Sequence, residues 1–77
     1  MSPRIAILKP REVLRALQKA GFVIHHHSGG HAQLKHPDRP QLRVTVPRHD
    51  RFDLPMPLLR SIIRQAGMTV EEFLKFL

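Results

Sequence analysis

The sequence predicts a two-layer α+β domain, a three-stranded antiparallel sheet with two helices on one face in the order α-β-β-β-α, plus a short C-terminal helix. Three observations predict it. Apolar residues recur at helical spacing around residues 10–20 and 57–66. Between those stretches lie three short runs of strand-like composition, separated by Gly and Pro turns. Each helix has one apolar stripe and the sheet one apolar face, so the economical packing sets both helices against that face. At 77 residues the chain is one domain, 1–77.

Residues 1–9 read as a loose or strand-like lead-in. Pro10 suits a first helical turn, where its missing N–H would be unpaired anyway. Val13, Leu14, Leu17 and Ala20 then share one face, Arg11, Arg15 and Lys19 another, and Gly21 stops the helix. The first strand is Phe22 to His27. Phe22, Ile24 and His26 are expected to face in, His25 and His27 out. Ser28-Gly29-Gly30 makes a tight turn into the second strand, which starts at His31, ends at His36-Pro37 and points Ala32 and Leu34 inward. Asp38-Arg39-Pro40 turn the chain again. The third strand, Gln41 to Pro47, points Leu42, Val44 and Val46 inward and Arg43 and Thr45 outward. A polar loop, Arg48 to Phe52 with His49 and Asp50, leads to a second helix with Pro57 in its first turn. Leu58, Leu59, Ile62, Ile63 and Ala66 form its stripe, Arg60 and Arg64 share its polar side, and Gly67 ends it. Thr69-Val70-Glu71-Glu72 is a capping box that opens the last helix, with Val70, Phe73, Leu74 and Leu77 available to dock.

Composition narrows the function. Thirteen Lys and Arg against six Asp and Glu give a net charge of +7, and nine of those cations are Arg. Arg binds phosphate through a planar fork, so nucleic acid or an acidic protein is the expected partner. The chain has no cysteine, which excludes disulfides and cysteine-based zinc sites and fits a reducing compartment. No apolar run reaches the roughly 20 residues of a membrane span. The expected location is cytoplasmic, with no membrane partner. Of the three successive histidines, only His25 and His27 are expected to share a face, with no carboxylate near them in sequence, so no metal site and no cofactor is expected. With four Phe and no Tyr or Trp, readout by base stacking is disfavoured.

The most function-like stretch is Ser28-Gly29-Gly30-His31 and the strand behind it. The turn fixes the backbone just before His31 and leaves its ring at a sheet end. His31, Gln33 and Lys35 lie on the face away from the core. A titratable ring beside an amide and an ammonium is suited to substrate chemistry. His36 and His49 read as structural, a strand-end and a loop residue.

These residues resemble the HicA family of toxin–antitoxin toxins. The resemblance covers the chain from Lys9 onward. It is carried by Ala20-Gly21-Phe22, by Gly29-Gly30-His31 with Lys35-His36-Pro37, by Val44-Thr45-Val46-Pro47, by Leu59 through Gly67, and by the run Thr69 to Leu74. The family implies a fold related to the double-stranded-RNA-binding domain and a metal-independent endoribonuclease that cuts mRNA. It also implies a HicB-like antitoxin covering the active site, to which an acidic surface would suit this basic chain. The family's catalytic histidine falls on His31. Two departures stand out. Gly30 occupies the place where the family usually has Ser, and Met56-Pro57-Leu58 stands where a Gly-Thr pair usually opens the second helix.

Metal-free RNA cleavage needs a proton removed from the 2′-hydroxyl, a proton given to the departing 5′-oxygen, and stabilisation of phosphoryl charge. An imidazole, with a pKa near ~6.5, serves either proton role at neutral pH. His31 is the expected base or acid. Lys35, Arg43 and Gln33 are the expected RNA contacts, with Arg60 and Arg64 as further candidates. The second proton-transfer group is left open among His25, His27 and solvent. Two other readings compete: a module of the same fold that binds RNA without cutting it, and a basic subunit that only pairs with an acidic protein.

Overall fold

The computed structural model describes residues 7–49 and 51–77. The lead-in before Ile7 and Asp50 of the polar loop lie outside the described residues. The chain folds as α1 (Pro10–Lys19), β1 (Val23–Ser28), β2 (His31–His36), β3 (Arg39–Pro47), α2 (Met56–Gln65) and α3 (Val70–Leu74). The strands form one antiparallel sheet in the order β1-β2-β3, so β2 is central and paired on both sides. This is the α+β architecture expected.

Helix α1 starts at Pro10, and the Glu12 carboxylate accepts from the Lys9 N–H at 2.9 Å. It ends in a Schellman turn, in which Phe22 N–H donates to the Leu17 carbonyl and Gly21 takes φ +103°. Helix α2 closes in the same way at Gly67, φ +70°, with Met68 N–H donating to the Ile63 carbonyl. At its start Pro55 precedes the helix and Met56 is the first residue, which puts Pro57 in the first turn as expected. Thr69 caps α3 as expected. Glu72 N–H donates to Thr69 Oγ1 at 3.1 Å, and Thr69 N–H donates to Glu72 Oε1 at 2.9 Å.

The core joins Val13, Leu14, Ala16 and Leu17 of α1 with Ala32 and Leu34 of β2, Val44 and Val46 of β3, and Leu59, Ile62 and Ile63 of α2. Phe73 of α3 is fully buried in the same cluster. The sheet residues between these buried ones, His31, Gln33, Arg43 and Thr45, are exposed. The core therefore lies on one side of the sheet and leaves the other face open. Strand β3 begins two residues earlier than expected, because Arg39 already pairs with His36. The next pairing is Lys35 with Arg43, so residues 40–42 fall between the two. Pro40 is tolerated there because β3 is an edge strand.

The largest departure is in β1. Ile24 pairs with Leu34, but Gln33 is opposite His26, leaving His25 as an extra residue in a β-bulge. Directly opposed residues share a face, so beyond the bulge the alternation is inverted. His26, expected to face the core, shares the outer face with Gln33. His27, expected outside, shares the inner side with Ala32 at the sheet end.

Candidate functional site

Three rows cross the outer face of the sheet. Val23, Lys35 and Arg43 make one; His26, Gln33 and Thr45 the next; Ser28, His31 and Pro47 the last. Gly29, φ +58°, is the one positive-φ residue of the β1–β2 turn, as in a type II′ hairpin. The turn therefore hands His31 directly to the ladder. Its ring is exposed, in the last residue pair of the sheet. Gln33 is exposed and Lys35 half-buried, and both follow His31 at strand spacing on that face. Arg43 is exposed directly opposite Lys35. None of the six carboxylates falls in any of the three strands. The face is thus cationic without an internal counter-charge, the pattern that attracts phosphate.

His25 belongs to this field. Its pKa is held below the ordinary imidazole value by desolvation first, and then by the charges of Lys35, His26 and Arg43. The His25 and His26 rings lie 6.3 Å apart, tilted by 37°. Among the described residues no group of three or more His, Asp or Glu side chains is placed to hold a metal ion.

The other histidines have different surroundings. The His36 ring joins three elements. Asp38 N–H donates to its Nδ1 at 3.2 Å, so the other nitrogen carries the hydrogen, and Nε2–H donates to the Ala20 carbonyl at 3.3 Å. Its ring also meets Phe22 edge-on, with centroids 5.0 Å apart. A methyl at Gly21 would come within 2.7 Å of that Nε2, so the glycine is required twice over, for its φ and for the close approach. His36 pins the β2–β3 turn to the end of α1 and is structural, as its sequence position suggests. His27 is hydrogen-bonded to the Arg48 guanidinium, Nδ1 to Nη1, at 3.1 Å. Arg48 is itself held by its N–H, which donates to the Gly30 carbonyl. His49 packs over Gly30. A side chain on residue 30 would bring its first carbon within 2.8 Å of the His49 ring. The space that a serine would use is therefore filled by an exposed imidazole.

Arg60 and Arg64 are not brought to the outer face. On α2, Gln65 reaches β3, where its Oε1 accepts from the Thr45 N–H at 3.1 Å, and its amide donates to Ser61 Oγ at 3.3 Å. Arg60 and Arg64 lie about 100° round the helix from that row, exposed on the helical layer. Sequence reasoning placed His26 on the wrong side, and His27 with it. A signal for it exists in the chain: counting alternation back from the turn puts His26 outside, while counting forward from Ile24 puts it inside. One extra residue between them reconciles the two.

The geometry of a basic, carboxylate-free sheet face with a histidine at its end agrees with a comparison of the sequence with known families. The family model described as HicA toxin of bacterial toxin-antitoxin matches residues 10–68, from the first residue of α1 to just past α2. A search of curated proteins found no match to the chain. No helix among the described residues is long and apolar enough to cross a membrane. With most of its length matched, the chain belongs to the HicA toxin family of bacterial toxin–antitoxin systems, which implies an antitoxin as its partner.

Proposed function

We propose that this chain is a metal-independent endoribonuclease that cleaves mRNA in the cytoplasm and is neutralised by a HicB-like antitoxin. His31 is its catalytic residue. The observation that carries this reading is the open position of His31 at the end of a sheet face that bears Lys35 and Arg43 and whose strands contain no carboxylate. RNA lies along that face with its phosphates near the two cations. His31 exchanges a proton with the ribose 2′-hydroxyl or the leaving 5′-oxygen, help worth about 10²–10⁴-fold in rate. Lys35 and Arg43 stabilise the charge that builds on the phosphoryl oxygens, and Gln33, between them and His31, donates a neutral hydrogen bond. Arg60 and Arg64, on the helical layer, take no part in this binding mode. The acidic antitoxin competes for the same basic face.

The test is His31→Ala, assayed for cleavage of a single-stranded RNA in chelator and for binding of the same RNA. The variant is expected to bind with the parent's affinity, to lose at least about 10²-fold in cleavage, and to lose growth arrest on expression. Cleavage at the parent's rate contradicts the assignment. RNA binding by the parent with no cleavage at all leaves the non-catalytic RNA-binding module.

A further inference from the structure

A single imidazole leaves one of the two proton transfers of RNA cleavage without a protein group. Besides His49, whose ring lies over Gly30 in the loop after β3 and outside the strand rows, four other histidines lie in the sheet, and geometry separates them. His36 is engaged with Ala20, Asp38 and Phe22 at the far end of β2. His27 is on the core side of the sheet and bonded to Arg48. His25 is the extra residue of the bulge, and the β2 and β3 charges it feels are Lys35 and Arg43, away from the His31 end. His26 differs from all three. It is exposed, directly opposite Gln33, and so diagonal to both His31 and Lys35 on the same face.

Diagonal neighbours across an antiparallel pair have Cβ atoms about 7–8 Å apart, and residues two apart on one strand are about 7 Å apart. His26 therefore sits about 7–8 Å from both His31 and Lys35, at the apex of a flat triangle over Gln33 whose base, His31 to Lys35, spans four residues of β2 and about 13 Å. Two imidazoles at that separation can reach inward to the two sides of one phosphodiester, with the ammonium at the third corner. The bulge alone produces this arrangement. Without the extra residue at His25, Ile24 in the core would force His26 into the core as well. Bulges commonly re-aim a side chain beside a functional site.

We propose that His26 is the second proton-transfer residue of the site, acting with His31 across a phosphodiester seated over Gln33. The inference rests on the endoribonuclease reading of His31. In the forward step one imidazole takes the 2′-hydroxyl proton, and the 2′-oxygen forms a bond to phosphorus. The bond from phosphorus to the 5′-oxygen breaks, and the other ring, entering as imidazolium, delivers its proton to that oxygen. The products are a 2′,3′-cyclic phosphate and a 5′-hydroxyl. No water is consumed, and proton exchange with solvent resets the two rings.

Single-turnover cleavage of a short RNA in chelator, followed across pH, tests this. The groups facing His26 that shape the profile are His25 on its own strand, His31 and Lys35 on β2, and Arg43 on β3. The parent is expected to give a bell, because one ring must start neutral and the other charged. His26→Ala is expected to lose one limb and about 10²–10⁴-fold in rate while keeping the parent's RNA affinity. His27→Ala, on the opposite face, keeps both limbs. A substrate with sulfur in place of the bridging 5′-oxygen needs no acid at the leaving group. It should restore most of the rate to one of the two variants, His26→Ala or His31→Ala, and not to the other. A His26→Ala profile that keeps both limbs and the parent's rate overturns the proposal, as does a limb lost with His25→Ala or His27→Ala instead. If His31→Ala is inactive while His26→Ala is fully active, only this inference fails. If neither substitution slows cleavage, the endoribonuclease reading of His31 fails with it.

Discussion

At the scale of single residues, the six histidines divide by what surrounds them rather than by where they fall in sequence. His36 illustrates the structural kind. Its two ring nitrogens are both used, Nδ1 accepting from Asp38 and Nε2 donating to Ala20. His36→Ala should therefore destabilise the fold by about 1–3 kcal/mol, the range for losing paired, partly buried hydrogen bonds, without removing catalysis from the molecules that remain folded. Urea denaturation of parent and variant checks this. A variant as stable as the parent contradicts the bridging role. Gly30 illustrates the opposite case, a missing side chain whose space is taken by His49. Gly30→Ser would have to push that ring aside. The ring is exposed and at the free end of its side chain, so it can turn away at small cost.

At the scale of elements, most of the fold was legible because local patterns and tertiary packing agree. Pro10, Gly21, Gly67 and the Thr69 capping box mark helix ends by chemistry that depends on few residues, and each mark was found where the pattern put it. The alternation of Ala32, Leu34, Val44 and Val46 likewise set the inner face. Two features were not legible by counting in one direction. The bulge at His25 breaks the two-residue period of β1, and the early start of β3 at Arg39 comes from pairing with His36 rather than from an apolar pattern. Of the site, His31, Gln33, Lys35 and Arg43 could be placed together because β2 is regular from the turn to Lys35. His26 could not, because its face is decided by a pairing across strands. The capping box also makes an acid-sensitive element. The Thr69 backbone N–H first, and then its hydroxyl, hold the Glu72 carboxyl below the usual carboxylate range, with burial opposing and Lys75 and Arg39 adding to the lowering. A carboxyl lowered in the folded state contributes stability above its unfolded pKa and loses it as pH falls through the folded value. The helical shifts of α3 should therefore weaken as pH falls below the usual Glu range, where the lowered carboxyl takes up its proton, in an NMR titration. An α3 that titrates with no change over that range contradicts the box as a stabilising device.

At the scale of the whole molecule, the core packs on one face of the sheet and the carboxylates are kept out of its strands. The helices and the inner sheet face hold the core, including Phe73 from beyond the stretch matched to the family, so the last helix is part of the folded body. The outer sheet face holds cations, and the carboxylates lie outside the strands. If RNA lies on that face, affinity falls as salt rises, because phosphate contacts release counterions. Lys35→Ala and Arg43→Ala should each reduce the slope of log affinity against log salt by about 1. Arg60→Ala and Arg64→Ala, on the helical layer, should leave it unchanged. Fluorescence anisotropy of a labelled RNA over a salt series reads all four. Equal reductions from the α2 substitutions would move the binding surface to the other layer.

One measurement reaches the chemistry itself: the end groups left on RNA after cutting in chelator, read by mass spectrometry for the parent and for His31→Ala. Attack by the 2′-hydroxyl with imidazole proton transfer predicts a 2′,3′-cyclic phosphate and a 5′-hydroxyl from the parent, and intact RNA from the variant. A 3′-hydroxyl with a 5′-phosphate, or the same fragments from the variant in the same yield, would contradict an imidazole at the sheet end as the agent of cleavage.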